Sequence, residues 1–204
     1  MKPFTTLTGV AAPIDLPNID TDRIIPARFL RHAQDAQGYE RFFFHDVRFN
    51  ADGSEKPEFI LNQAPYRGAK ILVTAANFGC GSSREAAVWA HAAYGMRCVI
   101  GPSFGDIFFN NCSKNGFLAV VLPAATCAAM RGQLQARPGA TLTIDLETQQ
   151  VIDAEGVAHG FDIDAFKKHA LLTGQNEIEL TFSHEERIAE FEKRQREEMP
   201  WLAH

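Results

Sequence analysis

The sequence predicts an α/β protein with a parallel βαβαβ core and additional antiparallel strands. Between residues 70 and 123, short apolar runs alternate with helical segments across brief links, the spacing that imposes right-handed crossovers and parallel pairing. Between residues 140 and 163, polar and apolar residues alternate around the turn Asp153-Ala154-Glu155-Gly156, as antiparallel strands or a hairpin require. The composition is that of a globular chain: 204 residues, 46% hydrophobic and 22% charged, enough for one good core. There are no internal repeats and no low-complexity linker, so a single domain spanning residues 1–204 is expected.

Taken in order, KILVTA (residues 70–75) is rich in β-formers and long enough for a buried strand. A glycine turn leads from it into a helix predicted from Ser83 to Tyr94, stopped by Gly95. RCVIG (residues 97–101) is the second strand. The next helix takes Ser103 as its N-cap and Gly116 as its stop, and FLAVVLP (residues 117–123) is the third strand. DIDAFKKHALLTG reads as a short helix opened by aspartate and closed by Gly174. A helical tail follows at about residues 183–198, with a capping-box pattern at Ser183 and Glu186. Beyond Ile188 and Phe191 it has few apolar positions, so it is either solvated or laid against a partner.

Several functions are excluded at this level. A net charge of −5 is the wrong sign for a general nucleic-acid binder. No apolar run is long enough to span a membrane, and the first residues lack the apolar core of a signal peptide, so a cytoplasmic location is expected. Cys80, Cys98, Cys112 and Cys127 are 18, 14 and 15 residues apart, without a CxxC pair, and no HExxH occurs. This chain is therefore expected to bind no zinc and no iron–sulfur cluster, and Cys98, Cys112 and Cys127 read as reduced cytosolic cysteines.

The chemistry concentrates in NFGCGSSRE (residues 77–85). The helix behind it is apolar on nearly every side, from Ala86 through Tyr94, and so is expected to be buried. Its N-terminus then aims unpaired N–H groups and the positive end of the dipole at whatever lies over the turn, which favours a carboxylate or oxyanion. Arg84 adds a planar fork of donors suited to a carboxylate. Ser82, at the N-cap or one residue outside it, has a hydroxyl where negative charge is stabilised, and a serine so placed can act as a base. Serines before helices also serve simply as caps, and Ser82-x-x-Glu85 has the form of a capping box. The residues alone leave both roles open. A dinucleotide fingerprint fails because Arg84 stands where the third glycine belongs and no acid follows at the ribose-binding distance. A nucleophile elbow fails because the pattern is not G-x-S-x-G. Cys80 sits in an electropositive turn, but no histidine base is near it in sequence.

Three stretches together, NIDTDRIIPARFL (residues 18–30), NFGCGSSRE and PSFGDIFFNNCSKNG (residues 102–116), resemble the small subunits of 3-isopropylmalate dehydratase (isopropylmalate isomerase), a family that matches the C-terminal swivelling domain of aconitase. The resemblance runs through most of the chain. It implies a swivelling β/β/α domain and a hydro-lyase that isomerises 2-isopropylmalate to 3-isopropylmalate through 2-isopropylmaleate, in leucine biosynthesis. It also implies that a separate large subunit holds a four-iron four-sulfur cluster and joins this chain in a heterodimer or higher heteromer that alone is active. By motif, Ser82 corresponds to the serine that takes the proton beside a carboxylate, Arg84 to the arginine gripping a substrate carboxylate, and Ser83 to the neighbouring hydroxyl. Asp20, Thr21 and Asp22 form a tight polar turn at the site's edge. Phe29, Leu30, Arg31 and His32 correspond to the substrate-selecting loop, although Arg28 and Arg31 read equally as solvated surface arginines.

The match departs from the family where Gly-Ser-Ser-Arg-Glu-His-Ala-Pro-Trp is usual, because Ala86 and Val88 replace the histidine and proline. Ala170 and Thr173 are further changes. Two alternatives stay open: a hydro-lyase subunit for citraconate/2-methylmalate or dimethylmaleate, and a non-catalytic dicarboxylate-binding or assembly module. The presence of both Ser82 and Arg84 argues against the second.

Overall fold

The sheet is built around a strand with no strong strand signature. In the computed structural model, which describes residues 1–82 and 84–202, β1 covers Thr6–Ile14. It is followed by β2 (Ile71–Thr74), β3 (Cys98–Gly101), β4 (Leu118–Val121), β5 (Thr141–Asp145), β6 (Gln150–Ile152) and β7 (Ala158–Gly160). They form one sheet in the order β4-β3-β2-β1-β5-β6-β7. The strands from β4 to β1 run parallel, and from β1 to β7 each neighbour is antiparallel. The expected mixed architecture is present, and β1 extends its parallel half beyond the three strands of the βαβαβ core.

β1 divides its edges by length. Thr6–Val10 pairs with β5, and Ala11–Ile14 pairs with β2. Pro13 is tolerated inside this central strand for that reason. The Ala11 N–H points to the β5 side, donating to Ala140 O at 3.1 Å. Two residues on, the Pro13 nitrogen faces the same side, beyond the end of β5, where no ladder donor is required.

The helices are α1 (Thr21–Ile24), α2 (His45–Arg48), α3 (Glu85–Tyr94), α4 (Asp106–Lys114), α5 (Ala124–Ala136), α6 (Ala165–Thr173), α7 (Glu177–Thr181) and α8 (Glu185–Glu198). Alternate residues of β2 face opposite layers. Leu72 packs with Ala87, Val88 and Ala90 of α3, Phe108 of α4, and Phe43 and Phe44. Ile71 and Val73 pack with Cys127, Met130 and Leu134 of α5. The sheet is thus covered on both faces, which is why β2 and β3 are apolar without alternation.

Two helix starts differ from the sequence expectation. α3 begins at Glu85 with Arg84 as its N-cap, and α4 begins at Asp106 with Gly105 as its N-cap. The Ser103 hydroxyl does not cap α4; it accepts from the Asn77 N–H at 2.9 Å. The stop at Gly95 is as expected, as is α6, whose N-cap Asp164 accepts from the N–H groups of Phe166 and Lys167 and whose end is Gly174. At the β6–β7 turn, burial alone would raise the Asp153 carboxyl. Hydrogen bonds from His159, the Val157 N–H, Gln133 and the Glu155 N–H outweigh it and hold that carboxyl at about 2. In the tail, α8 takes His184 as its N-cap, while the Ser183 side chain lies outside the described residues. Ile188, Phe191 and Trp201 are solvent-exposed there. No helix among the described residues is long and apolar enough to cross a membrane.

Candidate active site

The carboxyl ends of β1, β2 and β3 run into three loops, residues 15–20, 75–84 and 102–105, that are bonded to one another. The Gly79 N–H donates to Ile19 O at 2.7 Å, and the Thr21 N–H donates to Cys80 O at 2.9 Å. The Thr21 hydroxyl donates to Ser82 O at 2.8 Å. The Gly105 N–H donates to Phe78 O at 2.9 Å. The Asn77 amide donates to Asn18 Oδ1 at 2.8 Å, an unanticipated bond between two residues that both have positive φ. Clefts outside the carboxyl ends of parallel strands are where α/β sheets place their ligands.

Two glycines permit this junction. Gly79 has a φ of +71°, and a Cβ there would lie 2.4 Å from Phe108 Cγ. A Cβ on Gly105 would lie 2.4 Å from Gly79 O, backbone that cannot rotate away. Gly105→Ala is expected to destabilise the protein by about 1–3 kcal/mol, the usual range for overpacking. A lower midpoint in urea would register it; an unchanged midpoint would mean the loops separate without loss.

Ser82 is exposed, and its hydroxyl has no hydrogen-bond partner among the described residues. It lies two residues before the N-cap of α3, so the capping reading is corrected for Ser82: among the described residues no side chain caps this helix. Glu85, the other half of the supposed capping box, accepts from the Asn115 amide at 2.9 Å, and Asn115 Oδ1 accepts from the Trp89 indole at 3.0 Å. Arg84 has an extended backbone, and its guanidinium pairs with the Asp22 carboxylate. The arginine side chain is 14% exposed and the aspartate 55%. Behind them Ala86, Ala87, Val88, Ala90 and His91 of α3 are buried, so the start of the helix faces the Ser82–Arg84 turn and its dipole favours an anion there. Ser83 lies outside the described residues.

The structure thus brings Thr21, Asp22, Ser82 and Arg84 together. Asp20 caps α1 by accepting from the Arg23 N–H at 2.7 Å. Phe29 stacks on Phe42 with ring centroids 4.3 Å apart, and the Arg28 guanidinium lies over its ring. Arg28 also forks onto Asp46, and that hydrogen bond, above all, holds the Asp46 carboxyl at about 2. Leu30, Arg31 and His32 are exposed, and Arg31 makes no hydrogen bond or ion pair among the described residues. No bond among the described residues joins Phe29, Leu30 or Arg31 to the Ser82–Arg84 turn. Ala86 and Val88, the two departures from the usual motif, are buried in the core packing of α3.

The described residues show no converging set of metal ligands: no three of His, Cys, Asp and Glu come together. Burial pushes the thiols of Cys98, Cys112 and Cys127 up, away from the thiolate that a metal requires.

Residues 1–125, which hold the parallel half of the mixed sheet and the loops at its carboxyl ends, match the family model of the aconitase C-terminal domain. Residues 129–165 match the model LeuD_N, and residues 177–204 match the model of the C-terminal domain of the 3-isopropylmalate dehydratase small subunit. The chain belongs to the family of 3-isopropylmalate dehydratase small subunits. It is 50% identical over 201 residues to the protein of that name from Gluconacetobacter diazotrophicus, covering 98% of this chain and 97% of that one. It is 50% identical over 202 residues to the one from Rhodospirillum rubrum, covering 99% and 97%. A crystal structure of 3-isopropylmalate dehydratase from Methanocaldococcus jannaschii is similar in fold, with a TM-score of 0.63 and 21% identity over 92% of this chain and 99% of that one.

Proposed function

We propose that the chain is the small subunit of a 3-isopropylmalate dehydratase, a hydro-lyase that interconverts 2-isopropylmalate and 3-isopropylmalate through 2-isopropylmaleate in leucine biosynthesis. The observation that carries this reading is the meeting of an exposed serine hydroxyl, a mostly buried arginine and the start of a buried helix in one turn. The family relationship supports the substrate and a cytoplasmic setting. An iron–sulfur large subunit would supply Lewis-acid help to the substrate hydroxyl.

Arg84 holds a substrate carboxylate, and Ser83 adds a donor beside it. Ser82, kept as an alkoxide by the guanidinium and the helix dipole, takes the proton from the carbon next to that carboxylate. The electron pair left on carbon forms the double bond as the adjacent C–O bond breaks and the hydroxyl departs with its bonding pair, at the hydroxide level. For the isomer, that hydroxyl adds to the carbon that lost the proton, and Ser82 gives its proton to the other carbon. Thr21 fixes the turn through Ser82 O. Phe29, Leu30 and Arg31 form the loop that selects the branched side chain.

The test is anaerobic turnover of 2-isopropylmalate, with citraconate in parallel, by the chain alone and with a reconstituted iron–sulfur large subunit. Activity only in the mixture, and only on isopropylmalate, is the expected result. Turnover of citraconate instead would replace the substrate, and ligand binding without turnover would replace catalysis. Arg84→Lys is expected mainly to raise KM, since a point charge replaces a planar fork. An unchanged KM would remove Arg84 from substrate binding.

A further inference from the structure

The guanidinium assigned above to a substrate carboxylate is already paired with a carboxylate of this chain. We propose that Asp22 competes with the substrate for Arg84: it holds the fork until a carboxylate displaces it and reclaims the fork as product leaves. The inference rests on the reading of Arg84 as the carboxylate grip.

Three features of the turn carry it. The arginine is the anchored partner and the aspartate the free one, since Asp22 is more than half exposed and Arg84 is not. Asp22 can also let go cheaply. Its side chain makes no other hydrogen bond among the described residues, whereas its neighbours hold the loops in place. Asp20 caps α1, and Thr21 is buried and bonded to Ser82 O and Cys80 O. Finally, a carboxylate at Asp22 repels an incoming dianion in addition to occupying its cation. Only a ligand bearing a full carboxylate charge can take its place, so an ester or amide at that end is rejected. Asp22 is then a specificity-determining residue that weakens binding of the right substrate while excluding uncharged analogues.

The sign of one substitution tests this. Maleate serves as a probe dicarboxylate, titrated calorimetrically into the full chain at low salt. Asp22→Asn is expected to bind it about threefold more tightly than the unaltered chain, the scale of a partly exposed ion pair. In an Arg84→Gln background the same change is expected to give a clearly smaller gain, only the part due to relieved repulsion, because the contested cation is gone; an equal gain would overturn the competition. Asp22→Glu is expected to keep the weaker binding. In the two-subunit enzyme, Asp22→Asn is expected to lower KM and tighten product inhibition together. A residue that merely supports the turn would lose affinity when replaced. Weaker or equal maleate binding by Asp22→Asn, including no measurable binding by either form, overturns the proposal. Should the assembled enzyme fail to turn over 2-isopropylmalate, the functional reading falls and the maleate comparison still decides the role of Asp22.

Discussion

Ser82→Ala is expected to lower the turnover of the two-subunit enzyme by about 10²–10⁴-fold, the usual worth of a positioned general base. KM is expected to change little, because the proposed carboxylate grip is Arg84, not Ser82. The melting temperature is also expected to hold. Ser82 is exposed, caps no helix and contributes its backbone carbonyl, not its hydroxyl, to the bond with Thr21. These expectations separate catalysis from scaffolding. A cap would give a stability loss of about 1 kcal/mol and little kinetic effect, the reverse of the pattern expected here. Unchanged turnover would remove Ser82 from the mechanism.

The second large effect is acid sensitivity centred on His91. This imidazole is fully buried, ringed by Phe43, Phe78, Phe108 and Phe117 with centroids 4.5–5.7 Å away. Nδ1–H donates to Ala87 O at 2.7 Å, and Nε2 has no partner among the described residues. Burial pushes its pKa down from 6.5 to about 4. Above pH 6.5 the ring is neutral folded or unfolded. Between 6.5 and 4 only the unfolded chain takes up the proton, so stability falls as the pH falls, by about 3 kcal/mol across the window. Below 4 both states bind the proton and this loss levels off. Urea midpoints measured from pH 7 to pH 4 should show the decline, and His91→Leu should flatten it while removing the unpaired nitrogen. Parallel declines in the two proteins would place the acid sensitivity elsewhere. Because His91 lies on α3, unfolding driven by its protonation takes with it the helix that supports the Ser82–Arg84 turn.

The elements legible in the sequence are those in which local pattern and tertiary role agree. β2 and β3 read as strands because they are buried on both faces, and α6 reads as a helix because Asp164 and Gly174 mark its ends. β1 does not, because Gly9 and Pro13 weaken its pattern, and Pro13 is admissible only where β5 ends. α5 has no comparable signal. Its run of alanines carries little contrast, and its buried Arg131 finds Asp15 and Thr74 O only in the folded chain. His91 reads as one more residue of an apolar helix. Its distance of four from Ala87 is the one local sign that its ring can bond the helix's own backbone.

At the site the division is similar. Local sequence determined which chemical groups are present: two hydroxyls, a guanidinium and flexible glycines before an apolar helix, in an order shared with a whole family. Tertiary structure decided how they are used. Ser82 is not the N-cap: the helix starts later than its capping pattern implies, and Glu85 bonds Asn115, 30 residues away, instead of closing a capping box. Arg84 met Asp22 across 62 residues because parallel strands β1 and β2 deliver their loops to the same edge of the sheet. Capping patterns and turn residues are properties of neighbours along the chain. An ion pair between loops depends on strand order, which no local pattern contains.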